Sequence, residues 1–162
     1  MVKCYLSVGS NIDKKHNIQQ ALQTLGRLFG DIECSRIYES EAVGFDGDNF
    51  YNLVVGIQTG LSVLELASRL HTIEDEHGRR RGGKKFSSRT LDIDILTYGD
   101  QVGIVDGIAL PRDEIIKNAF VLLPLSELAP DDRHPVLKKT YASLWGEYDH
   151  RKQKLWPVPS VS

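Results

Sequence analysis

Residues 90–98 read Thr-Leu-Asp-Ile-Asp-Ile-Leu-Thr-Tyr, and they form the clearest alternating pattern in the chain. Its apolar and polar side chains alternate, which is typical of a strand with one face in the core. The apolar side chains at positions 91, 93 and 95 are predicted to point inward, so Asp92 and Asp94 share the opposite face. Two carboxylates therefore project from one rigid strand, roughly 6.5–7 Å apart along the backbone.

The segments before this strand follow the order β-α-β-β-α-β over residues 2–98, which is the ferredoxin-like pattern. The predicted strands cover about residues 2–9, 32–38, 50–59 and 90–98, and apolar residues at helical spacing predict the two helices between them. Ser10 or Asn11 is predicted to cap the first helix, and Gly30 to end it. Ser62 and Glu65 have the spacing of a capping box, which places the start of the second helix.

Further elements are predicted after this unit. One or two short edge strands are expected over residues 102–110, a helix over about 118–128 and a last helix over about 140–148. We therefore predict an α/β (α+β) protein. Its fold is a ferredoxin-like sandwich, with a mainly antiparallel sheet, helices packed on it and extra C-terminal elements.

The composition is that of an ordinary globular protein. The chain has 162 residues, 41% hydrophobic and 26% charged, which predicts a single domain over residues 1–162 with a loosely held tail at 156–162. Two cysteines cannot form a disulfide framework. The longest apolar run, at 119–123, is too short to span a membrane, and the N-terminus lacks the apolar stretch of a signal peptide. These features predict a cytoplasmic protein.

Positive charge is concentrated in one segment. The formal net charge is −2, yet six Lys or Arg residues and no acidic residue fall between positions 79 and 89. We expect a flexible loop over 79–88, directly before the aspartate pair. Carboxylates bind hard divalent cations that share their ligands with phosphates, and arginines neutralise phosphate charge. The combination predicts a site for a metal-bound polyphosphate.

Other interpretations of these residues are open. The basic run is also compatible with a solvated surface or a nucleic-acid contact, although the third strand offers no aromatic platform for RNA bases. His71, Glu74 and His77 have the wrong spacing for a helical zinc site. Glu74 is expected near the basic loop, where it orders an arginine, contacts a ligand sugar or forms a surface ion pair. The chain has no P-loop motif, which excludes a P-loop kinase.

The run Arg89-Thr-Leu-Asp-Ile-Asp-Ile-Leu resembles the signature of the 6-hydroxymethyl-7,8-dihydropterin pyrophosphokinase family of folate biosynthesis. The resemblance covers about residues 2–135 and includes further motifs in the same order. These are Gly9-Ser-Asn, Phe50-Tyr-Asn, Gly78-Arg-Arg-Arg, Phe120 and Pro124-Leu-Ser-Glu-Leu-Ala-Pro. Several ordered motifs in one chain are far more specific than any single one.

The resemblance implies transfer of pyrophosphate from ATP to the hydroxymethyl group of 6-hydroxymethyl-7,8-dihydropterin, with release of AMP. It implies that Asp92 and Asp94 hold two Mg²⁺ ions and that Arg79 and Arg89 are catalytic, stabilising the transferring phosphates. The implied ATP-binding residues are Glu74, Arg81, Lys85, Phe86, Ile95 and Arg112. The implied pterin-binding residues are Ser40, Val43, Phe50, Asn52 and Phe120, with the pterin stacked between the two phenylalanines.

The chain departs from the family pattern on the nucleotide side. Phe86 replaces a Trp, Arg112 replaces a His and Asn118 replaces an Arg. Arg112 can still contact phosphate as a bidentate donor, whereas Asn118 supplies no charge.

Two alternative functions fit the same residues. One is a metal-dependent nucleotide phosphohydrolase, and the other is a non-catalytic ferredoxin-like module that binds pterin or RNA. We expect a monomeric enzyme that acts on small molecules, with no nucleic-acid or membrane partner.

Overall fold

The structure is a computed structural model that describes residues 1–42, 47–78 and 90–159. Eight strands and five helices are formed by these residues. The strands are β1 (Val2–Ser10), β2 (Glu33–Cys34), β3 (Tyr38–Ser40), β4 (Phe50–Thr59), β5 (Asp92–Tyr98), β6 (Gly103–Val105), β7 (Ile108–Leu110) and β8 (Leu155–Pro157). The helices are α1 (Lys14–Phe29), α2 (Val63–Glu76), α3 (Glu114–Lys117), α4 (Ala119–Leu128) and α5 (Tyr141–Glu147).

The main sheet confirms the predicted ferredoxin-like fold. Its strands lie in the order β5-β1-β4-β3-β8, β2 also pairs with β4, and every pairing is antiparallel. The predicted edge strands over residues 102–110 instead form a separate two-stranded sheet of β6 and β7. Strand β5, which carries the aspartate pair, therefore lies at one border of the main sheet.

Helices cover both faces of this sheet. Alternate residues of β1 show the arrangement: Cys4 and Leu6 lie in a core with α1 and α2, while Tyr5 lies in a second core with α3, α4 and α5. Because the sheet is covered on both sides, β1 is largely buried on both faces rather than on one. The aspartates project from the face that carries α4, next to the second core.

Three local predictions are corrected by the structure. The predicted strand over 32–38 is two short strands, β2 and β3, and β3 continues to Ser40. The predicted loose tail is ordered at Trp156 and Pro157, which pair with β3, whereas 160–162 lie outside the described residues. Helix α1 begins after Asp13, whose backbone is left-handed at φ 45° and whose side chain makes no capping hydrogen bond. The capping role predicted for Ser10 or Asn11 is therefore wrong.

Other local predictions are confirmed. Ser62 and Glu65 form the predicted capping box at the start of α2, and Gly30 ends α1 with a φ of 76°.

In the described part of the chain, no helix has the length and apolar character needed to cross a membrane.

Candidate active site

Asp92 and Asp94 occupy neighbouring outward positions of β5, as the alternation predicts. Between and beside them, Ile93 and Ile95 are buried in the first core. Asp92 lies opposite Gly9 of β1 and Asp94 lies opposite Ser7. The pairing with β1 holds both carboxylates on one side of a strand whose backbone is fixed.

The surroundings of Asp94 disfavour its charge. Burial and the neighbouring charge of Asp92 raise the pKa of Asp94 to about 7, and the Arg112 guanidinium partly opposes this rise. Two carboxylates that repel each other on one rigid face form a donor set that a hard divalent cation stabilises. The residues present therefore fit Mg²⁺, which would take its remaining ligands from phosphate oxygens and water.

Glu74 stabilises the strand that carries this pair. It lies in the last turn of α2 with only 2% of its surface exposed, and its Oε2 accepts a hydrogen bond from the backbone N–H of Ile93 at 2.8 Å. The predicted surface position of Glu74 is therefore wrong, whereas its predicted contact with the basic loop stays a prediction, because residues 79–89 lie outside the described residues. The hydrogen bond from Ile93 satisfies the backbone donor between Asp92 and Asp94, so it fixes the strand at the point where both carboxylates project.

A cleft of about 140 Å³, here called the edge cleft, opens beside β5. Its lining residues come from α2, β5 and the segment around β7: Ala67, Leu70, His71, Ile93, Asp94, Ile95, Ile108 and Arg112. Ile95 and Arg112, two predicted nucleotide-binding residues, therefore line one cavity together with Asp94, which is a predicted metal ligand. Sequence reasoning missed the α2 and β7 walls, because nothing local to those segments shows that they face β5.

A row of residues crosses the sheet from the carboxylates to Asn52. Gly9 pairs with Asp92 on one side and with Asn52 on the other. At the strand spacing of a sheet, the backbones of Asp92 and Asn52 are therefore roughly 10 Å apart. A Cβ atom at position 9 would lie 2.6 Å from Oδ1 of Asn52, so only glycine leaves room for this amide. Asn52 donates in turn to Oγ of the buried Ser40 at 3.4 Å.

Ser10 and Asn11 connect this row to the neighbouring loops. Oγ of Ser10 donates to the carbonyl of Thr90 at 2.5 Å, and Nδ2 of Asn11 donates to the carbonyl of Asp48 at 3.0 Å. Both side chains are buried. Ser10 therefore positions the backbone just before β5, and Asn11 positions the backbone just before β4. The sequence did not predict either role.

The two predicted aromatic walls stand on different elements. Phe50 opens β4 opposite Ser40, and Phe120 lies in the first turn of α4, packed against the second core. Both are half-buried. Helix α4 packs on β4 and β3, so both phenylalanines lie on elements that border the Asn52 end of the row.

Six predicted site residues lie outside the described residues, so their predicted roles stay predictions. They are Val43, Arg79, Arg81, Lys85, Phe86 and Arg89.

A family model for 7,8-dihydro-6-hydroxymethylpterin-pyrophosphokinase matches residues 5–130. The chain belongs to this family. The matched range includes every predicted site residue, from Ser40 to Phe120. The matched range also includes both ends of the row across the sheet, Asp92 and Asn52.

Individual proteins give the same assignment. The chain is 35% identical over 141 residues to the 2-amino-4-hydroxy-6-hydroxymethyldihydropteridine pyrophosphokinase of Aquifex aeolicus, covering 86% of this chain and 88% of that protein. It is 37% identical over 137 residues to the enzyme of the same name from Pseudomonas aeruginosa, covering 82% and 84%. These relatives are matched over most of their length.

Solved structures show the same fold at lower sequence identity. A Plasmodium falciparum HPPK-DHPS triple mutant superposes with a TM-score of 0.71 at 16% identity, covering 91% of this chain and 41% of that one. The wild-type protein with pteroate gives a TM-score of 0.69 at 16% identity, covering 91% and 42%. The chain thus spans about two fifths of these longer proteins.

Proposed function

We propose that the chain transfers pyrophosphate from ATP to the hydroxymethyl group of 6-hydroxymethyl-7,8-dihydropterin, releasing AMP, as a step of folate biosynthesis. The observation that carries this proposal is the row Asp92–Gly9–Asn52, in which the Asp92 carboxylate and the Asn52 amide share one sheet face. Their separation of roughly 10 Å suits a pterin ring bound at one end and phosphates at the other. Membership of the pyrophosphokinase family and the names of the relatives support the same reaction.

At the pterin end, we assign recognition to polar and aromatic groups together. The Asn52 amide offers a donor and an acceptor to the amide-like edge of the ring, and backbone groups near Ser40 and Val43 add contacts. Phe50 and Phe120 stack on the two faces of the ring. The missing side chain at Gly9 keeps the floor between the ring and the phosphates open.

At the phosphate end, Asp92 and Asp94 hold two Mg²⁺ ions in this proposal. When bound, Mg²⁺ supplies positive charge that screens and orients the phosphates. The hydroxymethyl oxygen attacks the β-phosphorus, the bond from that phosphorus to the α-bridging oxygen breaks, and AMP leaves while the hydroxyl proton passes to solvent. Arg79 and Arg89 stabilise the charge that builds on the phosphates, a role that rests on the sequence alone.

The nucleotide occupies the edge cleft in this assignment. Ile95 gives the base an apolar contact, and the half-exposed Arg112 reaches the phosphates from the cleft wall. Arg81, Lys85 and Phe86 complete the site on sequence grounds. Glu74 acts on the nucleotide through β5, because its carboxylate is buried and bonded to the backbone of that strand.

We propose that a monomer is the active unit. The described residues of the row and of the edge cleft all come from one chain. Light scattering is expected to give a mass near the 18.2 kDa of one chain at assay concentrations. Specific activity that rises with protein concentration would contradict this assignment.

The test of the reaction is product identity. Protein is incubated with ATP and MgCl₂, with and without 6-hydroxymethyl-7,8-dihydropterin, and the nucleotides are separated by chromatography. We expect AMP and pterin diphosphate only when pterin and Mg²⁺ are both present. Equal AMP or ADP formation without pterin would instead indicate a hydrolase, and pterin binding without any product would indicate a non-catalytic module.

A matched pair of variants connects the product to the site. Asp92→Asn and Asp94→Asn each remove one carboxylate charge from β5, and we expect either change to lower kcat by at least about a hundredfold. Asp100→Asn removes the same charge from an exposed turn directly after β5 and is expected to leave kcat unchanged. A similar loss in all three variants would contradict the assignment of the metal ligands.

A further inference from the structure

Arg112 is fixed by its backbone at the border of the main sheet. Its N–H donates to the carbonyl of Leu96 in β5 at 2.8 Å, so the residue lies directly beside the strand that carries Asp94. Its side chain is 36% exposed and lines the edge cleft. The guanidinium therefore has little distance to travel before it reaches the carboxylate that we assign to the metal.

Two acids compete for this guanidinium. Nε and Nη2 of Arg112 both lie within hydrogen-bond distance of Oε1 of Glu114, at 2.9 and 2.8 Å. The distance from Nη2 to Oδ2 of Asp94 is 3.7 Å, which is an ion pair but too long for a hydrogen bond. A shift of about 1 Å would bring Nη2 of Arg112 within hydrogen-bond distance of Oδ2 of Asp94. The same oxygen would then be unavailable to a cation.

Glu114 is itself held in place through its second oxygen. Nδ2 of Asn118 donates to Oε2 of Glu114 at 3.4 Å, and Nε2 of Gln153 donates to Oδ1 of Asn118 at 3.0 Å. Oε1 of Gln153 accepts from the N–H of Ala119, the first residue of α4, at 2.7 Å. Glu114 is thus oriented by contacts that continue to the start of α4, rather than by Arg112 alone.

We propose that Glu114 is a positioning residue that holds Arg112 away from Asp94, so that Asp94 stays available to a divalent cation. The inference rests on the proposed function, because it takes Asp94 as a metal ligand. When the Glu114 side chain withdraws from Arg112, the guanidinium is free to pair with Asp94. It then competes with the metal ion for the Asp94 carboxylate. Glu114 therefore favours metal binding although it lies outside the metal site itself.

The test measures binding of Mn²⁺ alone, from the paramagnetic resonance signal of the free ion, with no nucleotide present. Glu114→Gln is expected to weaken Mn²⁺ binding by about tenfold, since the neutral amide no longer pairs with Arg112. In an Arg112→Met background, the same change is expected to alter Mn²⁺ affinity by less than about twofold. An equal loss in both backgrounds would show that Glu114 acts by its charge alone and would overturn the inference.

A second variant separates position from charge. Glu114→Asp keeps the charge but shortens the side chain by one methylene group, which withdraws the acceptor from Arg112. We expect it to weaken Mn²⁺ binding several-fold, and unchanged affinity would overturn the positioning role. Thermal melting without metal identifies variants that fail to fold, and the Glu114→Asp comparison then replaces Glu114→Gln. Wild-type protein that binds no Mn²⁺ would overturn the metal site itself, whereas wild-type binding with insensitive variants overturns only the role of Glu114.

Discussion

Replacement of Asp94 by asparagine should make the protein more stable and inactive at the same time. The wild-type carboxylate is held beside Asp92 in a partly buried position, and its pKa rises from the ordinary value of 3.8 to about 7. The folded state therefore opposes ionisation of this group. An asparagine side chain has nearly the same shape as an aspartate but no charge. The variant therefore avoids the free-energy cost of holding a charge at this position.

The size of the effect follows from the pKa. A rise of about 3 units corresponds to an upper limit of about 4 kcal/mol, at about 1.4 kcal/mol per unit. The side chain of Asp94 is 25% exposed, and nearby charges can rearrange, so we expect about 2 kcal/mol. For a chain of this length, that difference corresponds to a melting temperature about 6 °C higher.

The raised pKa also sets how the stability difference between the variant and wild type changes with pH. The folded state binds the proton of Asp94 more tightly than the unfolded state, so protonation stabilises the fold fully below about pH 4. This stabilisation is lost as the pH rises through about 7. The difference in the free energy of unfolding between Asp94→Asn and wild type should therefore be near zero at pH 4 and largest at pH 8.5.

Urea unfolding followed by circular dichroism at several pH values measures this difference, with Asp100→Asn as the control for loss of an exposed charge. A variant that is less stable than wild type at pH 8.5, or a difference independent of pH, would contradict the raised pKa of Asp94. Mg²⁺ with a non-hydrolysable ATP analogue should stabilise wild type but not the variant, because only the wild type keeps both carboxylates.

Three further substitutions test other parts of the site. Gly9→Ala places a methyl group against Oδ1 of Asn52, so the KM for pterin should rise at least about tenfold while the Kd for an ATP analogue, measured by calorimetry, changes little. Glu74→Ala leaves the buried N–H of Ile93 without its acceptor, so urea unfolding should show a loss of about 2 kcal/mol. His71→Ala removes one of the side chains that line the edge cleft, so calorimetry should show several-fold weaker binding of the ATP analogue and unchanged pterin binding.

Each of these substitutions has a matched control elsewhere in the chain. Gly26→Ala adds a methyl group where no atom lies within 4 Å, and Glu76→Ala and His16→Ala remove exposed side chains. A pterin KM unaffected by Gly9→Ala would contradict the position of the ring at Asn52. Equal destabilisation by Glu74→Ala and Glu76→Ala would contradict the structural role of Glu74, and equal effects of the two histidine changes would contradict nucleotide binding in the edge cleft.

The sequence was sufficient for the features that depend on neighbouring residues. A strand has a period of two, so the alternation over 90–98 places Asp92 and Asp94 on one face without any knowledge of the rest of the fold. The order of strands and helices, with the capping box at Ser62, then identifies the ferredoxin-like unit, because few topologies join such segments by short connections.

Where local signals compete, sequence reasoning failed. Ser10 and Asn11 resemble helix caps, but their side chains bond to the backbones of Thr90 and Asp48, which are distant in the chain. The tail has a composition typical of a loose end, yet Trp156 pairs with β3 and its Nε1 donates to Glu39 at 3.2 Å. In both cases a partner from another part of the chain outweighs the local preference.

The fold class and the paired carboxylates could both be predicted from the chain alone, since they follow from periods of two and 3.6 residues along the backbone. Two further features became visible only in the folded protein: Gly9 lies between Asp92 and Asn52, and Arg112 is shared by Asp94 and Glu114. Contacts of this kind depend on strand register and on small differences in the distance between side chains. Neither quantity is encoded in any short stretch of the chain, because each arises from packing of segments that are far apart in sequence.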